Sequence, residues 1–200
     1  RTGSFEFLER FTEAVERTVA GEIAQGRASG RILGIDAYDA TITAKSGELF
    51  VISAALGSAA ADLPEMEERY RIGRAFGNLY QRIDDLLDYC DLAETGKPPL
   101  QDYRHGKWTW CLGLADVEEF GRDTGSVVDA IFRRRAEGPS AARAALEVLH
   151  DRKRKLLQDA AKVGARTDEL RGLLDLCVGT AECGVREQEA RMGLPPMNVS

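Results

Sequence analysis

Three aspartates near the middle of the chain constrain its fold more than any other feature. They lie in the stretch Tyr80-Gln81-Arg82-Ile83-Asp84-Asp85-Leu86-Leu87-Asp88-Tyr89. On a helix, Asp84 and Asp88 stack one turn apart on one face, with Asp85 beside them and Gln81 one turn earlier. Leu79, Ile83, Leu86, Leu87 and Cys90 take other positions and give the same helix apolar surface to bury. Carboxylates crowded on a largely packed helix repel one another unless cations or protonation relieve the charge. Such a cluster of hard oxygen donors suits Mg²⁺, which keeps several waters and shares its shell with substrate phosphates. In a chain that is 30% charged, an Asp-Asp pair is also a common occupant of a solvated helix face, so the motif needs support from its surroundings.

Length and composition bound the rest. Two hundred residues with 44% hydrophobic content can bury one sizeable core, and a single domain over 1–200 is the expectation. The net charge is −6, and nucleic acid is not the expected partner. The basic runs Arg152-Lys153-Arg154-Lys155 and Arg133-Arg134-Arg135 read as solvated helix faces. No apolar run approaches the roughly 18 residues needed to span a bilayer, and no signal peptide is read. Cys90, Cys111, Cys177 and Cys183 form no C-x-x-C pair, and with only His105 and His150 in support zinc is not expected. Reduced thiols in a cytoplasmic protein are the reading.

Helical spacing predicts elements along the whole chain. Leu8, Phe11, Val15, Val19 and Ile23 mark a helix from 5 to about 25. A second starts near Asp36 as N-cap and runs through Tyr38, Ile42 and Lys45, with Ser46-Gly47 weakening or kinking it before helix resumes to 61. Its small residues at 54–61 allow close packing of another helix. Asp62-Leu63-Pro64 reads as the start of the acidic helix, over 65–93, in which Gly73 and Gly77 point to a close neighbour. Thr95-Gly96-Lys97-Pro98-Pro99 stops it, and a loop runs to Gly106. Further helices are predicted over 108–120, 127–135, 141–163 and 168–192. No useful length alternates with period two, so the fold class is all-α, with helices joined by short loops.

Taken together, four blocks resemble the trans-type isoprenyl diphosphate synthases, the all-helical prenyltransferases that include farnesyl and geranylgeranyl diphosphate synthases. Tyr38-x-x-x-Ile42-x-x-Lys45-Ser46-Gly47-x-Leu49-Phe50 is the first. Gly73-x-x-Phe76 through Tyr80-Gln81-x-x-Asp84-Asp85-x-x-Asp88-Tyr89 resembles the family's second aspartate-rich motif. Gly96-Lys97-Pro98, Asp102 and Gly106-Lys107-x-Thr109 resemble the lysine-bearing loop after it, and Gly21-Glu22-x-x-Gln25 is a weaker fourth block. The blocks cover about residues 19 to 112.

The resemblance implies an isoprenoid synthase bundle and a reaction: ionisation of an allylic diphosphate, attack by the double bond of isopentenyl diphosphate, and proton loss. It makes Asp84, Asp85 and Asp88 the expected Mg²⁺ ligands. Lys45, Lys97 and Lys107 would hold diphosphate. Gln81 would lie beside the cationic centre, and Ser46 occupies the family's Thr position. Lys45, Gln81, Asp84 and Asp85 are the expected catalytic set, Ser46 joins Lys45, Gln81, Lys97 and Lys107 in substrate binding, and the expected assembly is a homodimer or a pairing with a partner that supplies the missing N-terminal half. Charge chemistry supports the same site, since a diphosphate needs metal-bearing carboxylates and direct cationic partners. Tyr38 and Tyr80 are as readily core aromatics as site residues.

There are departures. The family's first aspartate-rich motif and the Arg pair after it would lie upstream of Arg1, so the expectation is the C-terminal two-thirds of the usual domain, incomplete at its N-terminus. Trp110-Cys111 stands where many members have Leu-Pro, although some farnesyl synthases carry Trp there, and the tail lacks a basic ending. Three other functions stay open: a non-catalytic or regulatory subunit of a prenyl diphosphate synthase, a class I terpene cyclase, and a helical adaptor without ligand.

Overall fold

A computed structural model describes residues 5–61, 63, 67–91, 98–136, 138–165 and 167–195. Among these the chain is all-α, with no strand. The helices are α1 (Phe5–Arg27), α2 (Ile35–Ile42), α3 (Glu48–Ala60), α4 (Glu67–Leu87), α5 (Gln101–Arg104), α6 (Trp110–Leu114), α7 (Thr124–Phe132), α8 (Ala141–Lys162) and α9 (Thr167–Arg191). A π-helical turn, Thr43–Gly47, joins α2 to α3.

The acidic helix α4 is the axis of the bundle. It packs against α3, the π turn, α8 and α9, and also meets α2 and α6. Tyr70, Phe76, Leu79, Ile83 and Leu86 are buried along it. Each large apolar side chain removed from water in this way contributes about 1.5–3 kcal/mol. Gly73 and Gly77 set the spacing to α3. A Cβ on Gly73 would come within 2.6 Å of the Phe50 carbonyl oxygen, and one on Gly77 within 2.8 Å of the Ser46 carbonyl oxygen. The close neighbour expected from these glycines is therefore α3 with its π turn. α7 and α8 open on side-chain caps, Asp123 accepting from the Ser126 amide at 2.9 Å and Ser140 from the Arg143 amide at 3.3 Å.

α1 presents its apolar stripe outward: Leu8, Phe11, Val15, Val19 and Ile23 are all exposed. Its opposite face carries Ala14 and Gly21 inward. A Cβ on Gly21 would meet the Ala44 side chain and the Lys45 amide nitrogen at 3.0 Å each, so this glycine lets the π turn lie directly on α1.

Five predicted features need correction. The kink at Ser46-Gly47 is a π turn within an otherwise continuous helical path, because both residues are buried between α1 and α4 rather than left in a break. The N-cap of α2 is Gly34, one residue before the helix start at Ile35, and no side chain caps it. The loop before Gly106 contains the single turn α5. The helix predicted over 108–120 is confined to Trp110–Leu114, since Asp116 turns to a left-handed φ of 51° and the Val117 amide closes back on the Leu112 carbonyl at 3.0 Å. α4 ends at Leu87, short of the predicted 93. Asp62 and Pro64, read as its start, lie outside the described residues, as do Thr95, Gly96 and Lys97.

Candidate active site

The acidic end of α4 separates its three carboxylates by burial. Asp84 is exposed, Asp88 half-buried and Asp85 buried at 4%. The reason is helical phase: Asp85 shares the inward face with Leu86 and Arg82, whereas Asp84, about 100° round the helix, faces solvent.

Asp85 is enclosed by hydrogen bonds. The Tyr38 hydroxyl on α2 donates to its Oδ2 at 2.6 Å, and Gln81 Nε2 donates to its Oδ1 at 2.8 Å. Burial pushes the carboxyl up to about 7. The two hydrogen bonds pull the other way, and the charges of Asp102 and Asp84 add to the rise.

Asp88 builds the next segment. Its carboxylate accepts from the amides of Gln101 at 3.1 Å and Asp102 at 2.9 Å, and its carbonyl accepts from Leu100 at 2.6 Å. It therefore caps α5 from just beyond the end of α4, where Leu100, at φ 60°, supplies no cap of its own. Burial raises the Asp88 pKa, against the amide hydrogen bonds and with the Asp102 charge.

The capped turn brings Asp102 and Lys107 to the acidic end. Lys107 Nζ donates to Asp102 Oδ1 at 2.8 Å. Burial works against the ammonium, and the pairing with Asp102 outweighs it, raising the Lys107 pKa. The loop is tied to the turn after α1 by Gly30 N donating to the Gly106 carbonyl and Ser29 Oγ to that of His105, each at 2.8 Å.

Lys45 and Ser46 arrive on the π turn. Ser46 Oγ donates to Gln81 Oε1 at 2.6 Å. Lys45 Nζ pairs with Glu22 at 3.0 Å and donates to Gln25 Oε1 at 3.2 Å, so the Gly21-Glu22-x-x-Gln25 block is the side of α1 that receives this lysine. Of the expected site residues, the structure thus brings Ser46, Gln81, Asp84, Asp85, Asp88 and Lys107 around one end of α4, with Lys45 on the adjoining turn. Lys97 lies outside the described residues.

Arg82 was not expected. Its guanidinium, 1% exposed, ion-pairs Asp39 and sits over the rings of Tyr38 at 5.1 Å and Trp110 at 5.0 Å. The Trp110 indole donates to the Arg82 carbonyl at 3.1 Å. The Trp110 departure noted above is therefore one wall of a cation cage behind the acidic face. The signal available in sequence was the pairing of Tyr38-Asp39 with that Trp, with nothing to say that they meet.

The donors on this face are oxygens throughout. Among the described residues no three His, Cys, Asp or Glu side chains form a ready-made metal cage. Mg²⁺ needs no such cage, being held through one or two carboxylates plus water and phosphate. Among the described residues exposed Asp84 has one long contact, from Gln81 Nε2 at 3.4 Å, which leaves its oxygens able to turn to a cation. The residues fit a hard divalent ion.

Known proteins resemble this chain in sequence and in fold. The chain is 35% identical over 111 residues to the octaprenyl diphosphate synthase of Escherichia coli (strain K12), a match covering 54% of this chain and 34% of that protein. The octaprenyl diphosphate synthase of Shigella flexneri matches equally. The chain thus spans about a third of the length of these curated relatives. Among solved structures, a Caulobacter crescentus polyprenyl synthase, crystallised with calcium and isoprenyl diphosphate, superposes with a TM-score of 0.70 at 27% identity, over 88% of this chain and 60% of that one. A Staphylococcus aureus heptaprenyl diphosphate synthase shares the fold, with a TM-score of 0.71 at 20% identity over 88% of this chain and 60% of that one. The polyprenyl synthetase family model matches residues 1–149, about three quarters of the sequence, and this chain belongs to that family.

Proposed function

We propose that this chain is a prenyltransferase that condenses isopentenyl diphosphate with an allylic diphosphate to give a longer prenyl diphosphate. The observation that carries the reading is the gathering at one end of α4 of exposed Asp84, half-buried Asp88 and the Asp102–Lys107 pair, beside the Ser46–Gln81 hydrogen bond. Membership of the polyprenyl synthetase family and the likeness to octaprenyl diphosphate synthases give that chemistry its direction.

In this reading Asp84 and Asp88 face Mg²⁺, with Asp85 supporting them from behind. Bound Mg²⁺ would supply positive charge to the oxygens of the departing pyrophosphate. The calcium in the Caulobacter relative is an ion of the same oxygen-seeking kind. Lys107 and Lys45 exchange their carboxylate partners for diphosphate oxygens, and Lys97 joins them. The allylic C–O bond breaks with both electrons leaving on pyrophosphate, the isopentenyl double bond forms the new C–C bond, and the proton released to restore a double bond passes to the departed pyrophosphate. Gln81 and Ser46 turn carbonyl and hydroxyl oxygen toward the transient positive charge. A homodimer belongs to the proposal, and light scattering of the purified chain tests it.

The decisive assay follows labelled isopentenyl diphosphate in the presence of Mg²⁺ and, in turn, dimethylallyl, geranyl or farnesyl diphosphate. Label moving into longer prenyl diphosphates, and lost in Asp84→Ala, is the expected result. Consumption of the allylic substrate without incorporation would make the chain a cyclase. Mg²⁺-dependent pyrophosphate binding with no turnover would make it a non-elongating subunit.

A further inference from the structure

One hydrogen-bonded chain crosses three elements behind the acidic face. It runs from the Tyr38 hydroxyl on α2 to Asp85 Oδ2, from Gln81 Nε2 to Asp85 Oδ1, and from Ser46 Oγ to Gln81 Oε1. Its lengths are 2.6, 2.8 and 2.6 Å. A carboxamide has a donor end and an acceptor end of nearly the same shape, and only its partners decide which way it points. An ionised Asp85 can only accept, so it fixes the amino end of Gln81, and the Ser46 hydroxyl fixes the carbonyl end.

The far end of the chain is held more rigidly than a lone tyrosine would be. The Tyr38 ring lies under the Arg82 guanidinium at 5.1 Å and meets Trp108 edge-on at 5.9 Å. Tyr38 is buried, and Arg82 is itself held by Asp39 and Trp110. The aromatic cage therefore sets the hydroxyl, the hydroxyl sets Asp85, and Asp85 sets the amide.

We propose that Tyr38 is a positioning residue for Gln81, acting through Asp85 to hold the carboxamide with its oxygen toward the π turn and its amino group toward Asp85. The inference rests on the elongation reading for its kinetic consequence and on the geometry alone for the orientation. Tyr38 touches no substrate in this account. Without its hydroxyl, Asp85 has one fewer fixed oxygen, Gln81 is free to turn over, and an N–H edge can face the developing cation where an oxygen is wanted. Such a fault acts on the transition state rather than on diphosphate binding, so it lowers kcat with KM nearly unchanged.

The test is a double-mutant cycle with Tyr38→Phe and Gln81→Met, read in three ways. The side-chain amide resonances of Gln81 in a ¹⁵N spectrum of the full chain report orientation without turnover. Mn²⁺ affinity in the presence of pyrophosphate, by electron paramagnetic resonance, reports the metal face. Steady-state kinetics report kcat and KM separately. Tyr38→Phe is expected to broaden or shift the Gln81 pair, to lower kcat by roughly tenfold, and to leave Mn²⁺ affinity and both KM values within about twofold. In the Gln81→Met background the same substitution should add little, because its target is already gone.

A Gln81 pair unmoved by Tyr38→Phe overturns the proposal, as do strictly additive effects on kcat. A loss of Mn²⁺ affinity parallel to the loss of kcat also overturns it, since Tyr38 would then be shaping the metal face. A wild-type chain that incorporates no isopentenyl diphosphate sinks the elongation reading instead, and the amide spectrum still decides the orientation.

Discussion

Asp85 shows how one residue can carry opposite demands. Its place on the inward face of α4 removes it from water, while its role as acceptor for Tyr38 and Gln81 asks it to stay ionised. The folded-state carboxyl is raised to about 7, well above the ordinary carboxylate range. A folded state that holds its proton more tightly than the unfolded one is favoured at low pH, and that advantage is lost as pH rises from about 4 toward 7. The metal-free chain should therefore lose stability relative to Asp85→Asn across this window, by about 1–3 kcal/mol, as measured by urea denaturation at pH 5 and pH 8. Parallel stabilities of the two proteins would show that Asp85 titrates normally. What sequence revealed here is the helical phase of Asp84 and Asp88. The burial of Asp85 and Arg82 was beyond it, because both depend on Tyr38 and Trp110 arriving from elsewhere in the chain.

Among the elements, the contact of α3 and the π turn with α4 governs the site, because it brings Ser46 to Gln81. Gly77 is where α4 meets the π turn: a Cβ there would meet the Phe50 ring and the Ser46 carbonyl oxygen at 2.8 Å and the Gly47 Cα at 2.9 Å. Two of those three atoms are backbone and cannot swing aside. Gly77→Ala should cost about 1–3 kcal/mol in chemical denaturation despite the better helix propensity of alanine. An unchanged or raised stability would mean that the helices can part without loss. This contact was legible as glycines on a helical face. Less legible were the short segments α5 and α6, since the cap of α5 is Asp88 at the end of α4 and the end of α6 is set by the backbone of Asp116.

Across the whole molecule, the acidic end of α4 and the cationic loop after it form a face that gains from a ligand neutralising both signs at once. Mg²⁺ and pyrophosphate together should raise the thermal midpoint. At about a hundred times the dissociation constant, the gain is about 2.7 kcal/mol, or roughly 5–10 °C for a chain of this size. Either component alone should give much less, and Asp84→Ala should abolish the synergy. Equal shifts in wild type and variant would place the binding elsewhere.

The π turn has a further consequence, in evolutionary terms. A turn of this kind amounts to a surplus residue in a helix, so α2, Thr43–Gly47 and α3 stand one codon from an uninterrupted rod. Losing that codon would restore regular hydrogen bonding and rotate everything on one side of the deletion by about 100°. Lys45 or Ser46 would leave the end of α4 even as the helix itself became more regular. Local hydrogen bonding alone would favour that deletion, and the packing of α2 and α3 on α4 opposes it. A lineage that keeps the surplus residue is one in which the placement of Lys45 and Ser46 counts for more than the regularity of the helix that carries them.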